Sequence, residues 1–519
     1  MKKISHILIA CIAVLFSSCS ALDLSPQDWY GSGNFWNNEA QVKGYMNGLH
    51  ANLRSRNQMF YILGEARGGT QRVGTSSLNT SLDYSSPIKG NQFTRDHTGV
   101  SGWYSLYNNI MQVNHFIDNV EEGCSFLSDT ARKNYLGQAY GLRAFYYSFL
   151  LKTFGGVPLI TDVKVIEGKI SADKLYTKRS TPAEIIAFIK DDLKRSEDNF
   201  GNATSTNKVA WNKDATLMLK ADTYLWTAKV NVGDHKAAGE PDLLIAKAAL
   251  EQLKGKYKLR KDFSTIFTEK ANEEVIFAIR FRDGEATNFG SAFVYSENVF
   301  VGQRFGRDGE VLNDVLDLRG NGLLRHEYKS SLWEAYDEED SRRDKTFYDH
   351  YLNDKGEGQG LVLLKCLGII NSNGNRVYES DMIVYRYADV ILKLAEVENS
   401  LGNDCSSYIN EIRERAYGDN YSDAFAYTNG SFEENELAIL AERDKEFVWE
   451  GKRWFDMVRM HDANGTPLAF KAEANYPETP GEAPVPLLSL DEKHKLLWPI
   501  NVGTLNDDNL LEQTPGYEE

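Results

Sequence analysis

Apolar and polar positions in this chain follow two rhythms, and the change between them falls near residue 275. Before that point apolar residues return at three- and four-residue steps, the period of a helix with one buried face. Helical phase begins at Phe35 and Trp36 and runs past Tyr45, Leu49 and Leu53. It resumes from Trp103 through Ile117, from Tyr135 to Phe154 and from Ala215 to Trp226, the last paired with Leu243 to Leu253. Gly155, Gly156 and Pro158 end the helix over 135–154, glycine closing it and proline preventing restart. Thr181-Pro182-Ala183-Glu184 opens the next, with Thr181 as N-cap, Pro182 at the first helical position and Ile185, Phe188, Ile189 and Leu193 as its apolar stripe. Helix pairs of this length, with small residues at the crossings, predict degenerate tetratricopeptide-like units of about 34 residues separated by unequal loops.

From Val275 to Arg282 the period becomes two (Val275, Phe277, Ile279, Phe281), which predicts a strand. Residues 283–380 hold short apolar runs with many Gly and Asn, an irregular insertion with small strands. Helical phase returns over Ile383–Glu396 and Tyr408–Ala416. The densest pattern lies in Leu440–Arg459, read as one continuous helix. Leu437, Leu440, Ala441, Phe447, Val448, Trp454, Phe455 and Val458 share one side, while Arg443, Glu446, Glu450 and Arg453 recur at the spacing where opposite charges meet on a helix surface. Trp449 and Trp454 beside that charged stripe predict a helix docked into a bundle with its ion pairs partly buried. The fold class expected is mainly α, built of helix pairs with a loop-rich insertion and a few short strands.

Composition narrows the function. The 519 residues are 42% hydrophobic and 25% charged, and the net charge of −16 excludes partners that need clustered Lys and Arg, nucleic acid above all. Aromatics reach 12%, which serves helix packing and also platforms for sugar rings. At the N-terminus, Lys2 and Lys3 precede an apolar run from Ile7 to Phe16, too short to span a bilayer. Leu15-Phe16-Ser17-Ser18-Cys19 then resembles a bacterial lipobox, in which Cys19 would be acylated and become the mature N-terminus. Residues 1–18 are expected as signal peptide, 19–34 as a lipid-anchored tether and 35–519 as one domain, with helix pairs over roughly 35–254 and 383–462. Cys124, Cys366 and Cys405 remain, with neither disulfide nor zinc spacing, and read as buried thiols.

The run from Glu442 to Arg459 also resembles the C-terminal signature of the SusD/RagB family, E-R-x-x-E-F-x-x-E-G-x-R-W-x-D-L-x-R, with Met457 in place of Leu. Leu142-Arg143-Ala144-Phe145-Tyr146-Tyr147 through Gly155-Gly156-Val157-Pro158-Leu159 is similar to a second family signature. The Leu22-Asp23 start, the stretch from Ile383 to Glu396 and the ending from Leu497-Trp498-Pro499-Ile500 to Pro515-Gly516-Tyr517 follow the same family in order. The resemblance implies a glycan-binding lipoprotein of the outer membrane, facing outward, whose partner is a SusC-like TonB-dependent transporter.

Candidate chemistry points the same way. No H-E-x-x-H, G-x-S-x-G or phosphate-loop motif is present, and no cofactor or metal is expected. A sugar ring offers an apolar face and a rim of hydroxyls, so its site needs flat aromatics beside Asp, Asn and Arg. Two loop regions carry that mixture. The first supplies Arg67, Arg72, Asp83, Tyr84 and Asn91, and the second supplies Asn288, Phe289 and Tyr295. The resemblance implies a glycan site built from these two loops, and Phe289→Ala and Tyr84→Ala are expected to weaken binding without lowering the melting temperature. The competing readings are a surface glycan hydrolase or esterase, and a transporter subunit that takes peptides.

Overall fold

The computed structural model describes residues 35–79, 86–100, 102–163, 175–204, 207–320 and 322–517. The expected signal peptide, tether and lipidated Cys19 lie outside the described residues. The chain is mainly helical. Its longer helices are α1 (Glu39–Arg54), α2 (Tyr104–Glu122), α3 (Asp129–Phe154), α4 (Pro182–Phe200), α5 (Lys213–Lys229), α6 (Glu240–Glu251), α7 (Tyr387–Ser400), α8 (Ser406–Tyr417) and α9 (Phe432–Glu446). The shorter α10 (Arg453–Arg459) and α11 (Val502–Asp507) follow. Each helix from α1 to α6 packs on the next, and α6 then packs on α7, so the series continues past residues 252–386 as though they were absent. Among the described residues no helix is long and apolar enough to cross a membrane.

Local chemistry explains the helix ends. Thr181 accepts from Glu184 N while the Glu184 carboxylate accepts from Thr181 N, so two amides that the helix leaves unpaired are satisfied reciprocally. Ser431 and Glu434 repeat the device at α9. α3 stops at Gly155, whose φ of +74° suits glycine. Small residues mark the crossings as expected. A Cβ on Gly141 would lie 1.9 Å from Trp211 Nε1, and one on Gly137 would lie 3.0 Å from the Phe200 ring.

Residues 252–386 leave and rejoin the helical series through one strand pair. β1 (Val275–Ile279) runs antiparallel to β4 (Met382–Arg386), with register shifts on either side of Phe277. Inside the excursion, β2 (Phe347–His350) pairs with β3 (Gly360–Leu363). The helix expected from Ile383 therefore starts four residues later, at Tyr387. Ile383, Val384 and Tyr385 are β-branched or aromatic and take the strand partner that β1 offers. Their apolar run joined seamlessly to the helical phase that follows.

The stretch over 440–459 is not one helix. α9 ends at Glu446 and α10 starts at Arg453, with Trp449 and Gly451 between them at φ +69° each. The backbone amides freed there find a single acceptor, because Glu65 takes hydrogen bonds from Trp449 N (2.8 Å), Gly451 N (2.7 Å) and Tyr328 Oη (2.6 Å). Gly64 sits so close that a Cβ on it would lie 2.0 Å from the Gly451 carbonyl oxygen. Burial drives the Glu65 carboxyl up to about 7 despite those three donors.

The charges of this stretch are buried, more completely than expected, and apart from Arg459 with Asp456 they pair with other elements rather than along their own helix. Arg443 reaches Asp389 (3.0 Å) and Asp456 (2.8 Å). Glu446 meets Arg386 (2.6 Å) and Arg342 (3.1 Å), and Glu450 meets Arg386 (2.8 Å) and Lys365 (3.2 Å). Arg459 binds Glu396 and Asp456, each at 2.7 Å. These side chains are at most 5% exposed. The result is an ionic seam that fastens α7, α9, α10 and the excursion's Arg342 and Lys365 together.

Candidate functional site

The two loop regions, more than two hundred residues apart in sequence, come together at Glu327. Segment 70–77 lies against 325–329: Arg72 N donates to Glu327 O (2.9 Å), Lys329 N donates to Thr70 O (2.9 Å), and Gln71 bridges Tyr328. The Glu327 carboxylate accepts from Ser77 N (2.8 Å), Ser77 Oγ (2.6 Å) and Tyr295 Oη (2.6 Å). Arg72 approaches it at 3.6 Å. Sequence reasoning missed Glu327 because R-H-E-Y-K carries neither a period nor a motif.

Most of the expected ligand contacts turn out to be parts of this joint or of the core. Arg67 is fully buried, its guanidinium 3.7 Å from the Trp454 ring and 4.6 Å from the Phe93 ring. Its Nε donates to Asn91 Oδ1 (2.7 Å), so two residues expected to grip a ligand hold each other. Burial lowers the Arg67 guanidinium to about 9. Asn288 is buried and fixes its own loop, donating to Ser380 O (2.8 Å) and accepting from Gly290 N (2.7 Å). Tyr295 is buried against Glu327, and burial raises its hydroxyl well above the ordinary tyrosine value. These four side chains are closed to a ligand in this structure.

Phe289 is half-buried and packs against Tyr61, Phe293 and Trp449, with centroids 5.2, 5.8 and 5.9 Å away. Those contacts predict that its truncation lowers stability, where the reading from sequence expects an unchanged melting temperature. Asp83 and Tyr84 lie outside the described residues. Arg72 remains at the surface, its side chain 24% exposed. Arg304, whose charge is felt by Tyr295 and Glu327, is partly exposed, and Arg325, two residues before Glu327, is exposed. The Nε of Arg72 and of Arg304 is buried and makes no hydrogen bond among the described residues, with Arg72 Nε 3.8 Å from the Glu478 carboxylate, so any ligand would meet the outer nitrogens of these guanidinium groups. Guanidinium groups present planar pairs of donors, a shape that fits adjacent hydroxyls or a carboxylate.

Ser77 and His350 both crowd against Gly360, a grouping that invites a hydrolase reading. The Ser77 hydroxyl, however, donates to Glu327, and neither ring nitrogen of His350 has a hydrogen-bond partner among the described residues. Burial, with Arg304 nearby, holds His350 down to about 3 and so neutral.

Comparison with known proteins decides the family. A family model described as "SusD family" matches residues 360–517, and one described as "Starch-binding associating with outer membrane" matches residues 22–225. The crystal structure of a SusD superfamily protein from Bacteroides fragilis NCTC 9343 superposes with a TM-score of 0.86 at 40% identity, covering 93% of this chain and 100% of that one. The chain belongs to the SusD family. B. fragilis NanU is similar at 29% identity and a TM-score of 0.80, over 96% of this chain and 100% of that one. The starch-binding protein SusD of Bacteroides thetaiotaomicron is 23% identical over 79% of this chain and 77% of its own length. The mainly helical fold expected from sequence is the one this SusD-family chain has.

Proposed function

We propose that this SusD-family protein captures oligosaccharides on the outward face of an outer membrane and passes them to a SusC-like TonB-dependent transporter, making and breaking no bond itself. Its anchor would be the acylated Cys19. The observation that carries the reading is the junction at Glu327, where two loop regions meet under surface arginines in a chain of this family. Arg72 and Arg304 would supply hydrogen-bond donors to sugar hydroxyls, with Asp83 and Tyr84 adding contacts from the adjoining segment. A site stiffened by Glu327 before ligand arrives needs little ordering on binding. The bonding of Ser77 to Glu327 rather than to His350 supports binding over hydrolysis.

The test is calorimetry of the purified protein against a glycan panel, with Arg72→Ala/Arg304→Ala alongside. Binding without product release, weakened about tenfold in the double variant at unchanged melting temperature, is the expected result. Release of sugar from any panel member, or selective binding of peptides, overturns it. Transfer to a transporter is checked by co-purification from outer membranes, and the anchor by loss of fatty-acid labelling in Cys19→Ala.

A further inference from the structure

Between α3, α7, α10 and the strand pair β1–β4 lies a narrow pocket with room of about 60 Å³ inside. That is space for a few water molecules or one small ion. Its lining is buried except at Phe149, Asp222, Val384, Gly451 and Lys452, which are half-buried and mark the mouth. Phe60, Phe145, Phe149 and Phe455 supply apolar walls, and the remaining side is ionic.

The charges along that side alternate in sign. Asp222 lies between Lys152 and Lys393, 3.5 Å from the latter, and Asp389 meets Lys393 (2.7 Å), Lys452 (3.1 Å) and Arg443 (3.0 Å). Asp456 then joins Arg443 (2.8 Å) to Arg459 (2.7 Å). Glu396 joins Arg459 (2.7 Å) to Lys229 (3.0 Å), which ends the series on Glu436 (2.8 Å). The alternation slips at Asp389, which takes cations from three sides, so six cations share five carboxylates among the described residues. None of these side chains is more than 16% exposed. Glu450 also lines the pocket, but Arg386 (2.8 Å) and Lys365 (3.2 Å) already hold it.

A buried cation short of a counter-charge either sheds its proton or gains an anion. Arginine keeps its proton, so the surplus falls on the lysines. Lys152 offers the most: one of its three N–H bonds is matched, by Asp222, while Trp226 and Phe455 turn rings toward it at 5.4 and 5.3 Å. Burial holds the ammonium groups of Lys152 and Lys452 below the usual lysine value although each touches a carboxylate.

We propose that this pocket binds one small monovalent anion, chloride in physiological salt, held by the ammonium groups of Lys152, Lys393 and Lys452 and bracing α3 against α7 and α10. The site stands apart from the glycan reading, and neither depends on the other. The experiment follows thermal unfolding of the whole mature protein while sodium chloride or bromide, up to about 100 mM, replaces sodium gluconate at constant ionic strength. Gluconate is too large for the pocket and serves as the reference. Bromide anomalous diffraction from crystals of the same protein locates the ion. The expected result is a saturable rise in melting temperature of about 1 °C with either halide, and a bromide peak beside Lys152 Nζ. Lys152→Met should lose both, whereas Lys194→Met, at an exposed surface pair with Asp198, should keep both. If Lys152→Met does not fold, Lys452→Met takes its place, since Asp389 then retains Lys393 and Arg443. Three outcomes overturn the site: halide and gluconate curves that coincide, even with a peak at crystal concentrations; a bromide peak only elsewhere; or a halide response intact in the lysine variant. Coincident curves would mean that a lysine sheds its proton instead.

Discussion

Carboxylates occupy both the ionic seam and the open surface beside α11, but their surroundings differ. In the seam Glu446 faces Arg386, Arg342 and Arg415, and Glu396 faces Arg459 and Lys229. Between α2 and α11, by contrast, Asp507 stands exposed to water. Desolvated charge persists only when opposite charge and hydrogen bonds surround it, so the seam's residues are committed to each other. Asp507 keeps its water. The same residue type is mortar in one place and a solvated surface group in the other, and what decides is whether burial brings cations from neighbouring elements.

The largest test of that contrast is Glu446→Ala, which leaves Arg386, Arg342 and Arg415 short of a counter-charge. It should lower unfolding free energy by about 3–5 kcal/mol in urea melts. Asp507→Ala should change it by no more than about 0.5 kcal/mol, and similar losses in both would erase the distinction. Next comes Phe289→Ala, which opens a gap among Tyr61, Phe293 and Trp449 and should cost about 2 kcal/mol, less than a fully buried phenylalanine. Tyr104→Ala, at an aromatic 60% exposed on the first turn of α2, should leave the melt unchanged. Gly141→Ala forces a methyl into Trp211 at the α3 crossing and should cost about 1–3 kcal/mol, read from the same melts.

A smaller effect is in pH dependence. Glu65 is raised by burial, so its contribution to folding is full below its ordinary value of 4.5 and is lost as pH rises through about 7. Burial would raise Glu446 as well, but Arg415, Arg386 and Arg342 outweigh it and hold it low. Its contribution, present above 4.5, is therefore lost on acidification. Buried His350, held neutral, acts in the opposite sense over part of this range, so the test is the difference: the parent's denaturation midpoint should fall relative to that of Glu65→Gln from pH 5 to pH 8. Parallel slopes in the two proteins would show that Glu65 does not titrate in that window.

The sequence made most of the scaffold legible. Periodicity and end signals located α3, its stop at Gly155, the Thr181 cap and β1, because each is a local matter of backbone and neighbouring side chains. The break at 447–452 was hidden, since its amides are satisfied by Glu65, nearly four hundred residues away. The strand at 382–386 was hidden for a similar reason: its partner is β1, across the whole excursion. Site residues were harder still. Arg67, Asn91, Asn288 and Tyr295 have the composition of a sugar site and the position of core, and only the folded neighbourhood of Trp454, Phe93 and Glu327 separates the two.

The strand pair β1–β4 has a consequence for descent. Because α6 abuts α7 directly, residues 252–386 form a detour from the helical series, fastened back to it by the strand pair, by Arg342 and Lys365 in the seam, and by the docking of 325–329 on segment 70–77. Changes confined to its exposed turns, 354–358 and 372–375 among them, can accumulate without displacing a helix, whereas changes at those fastenings cannot.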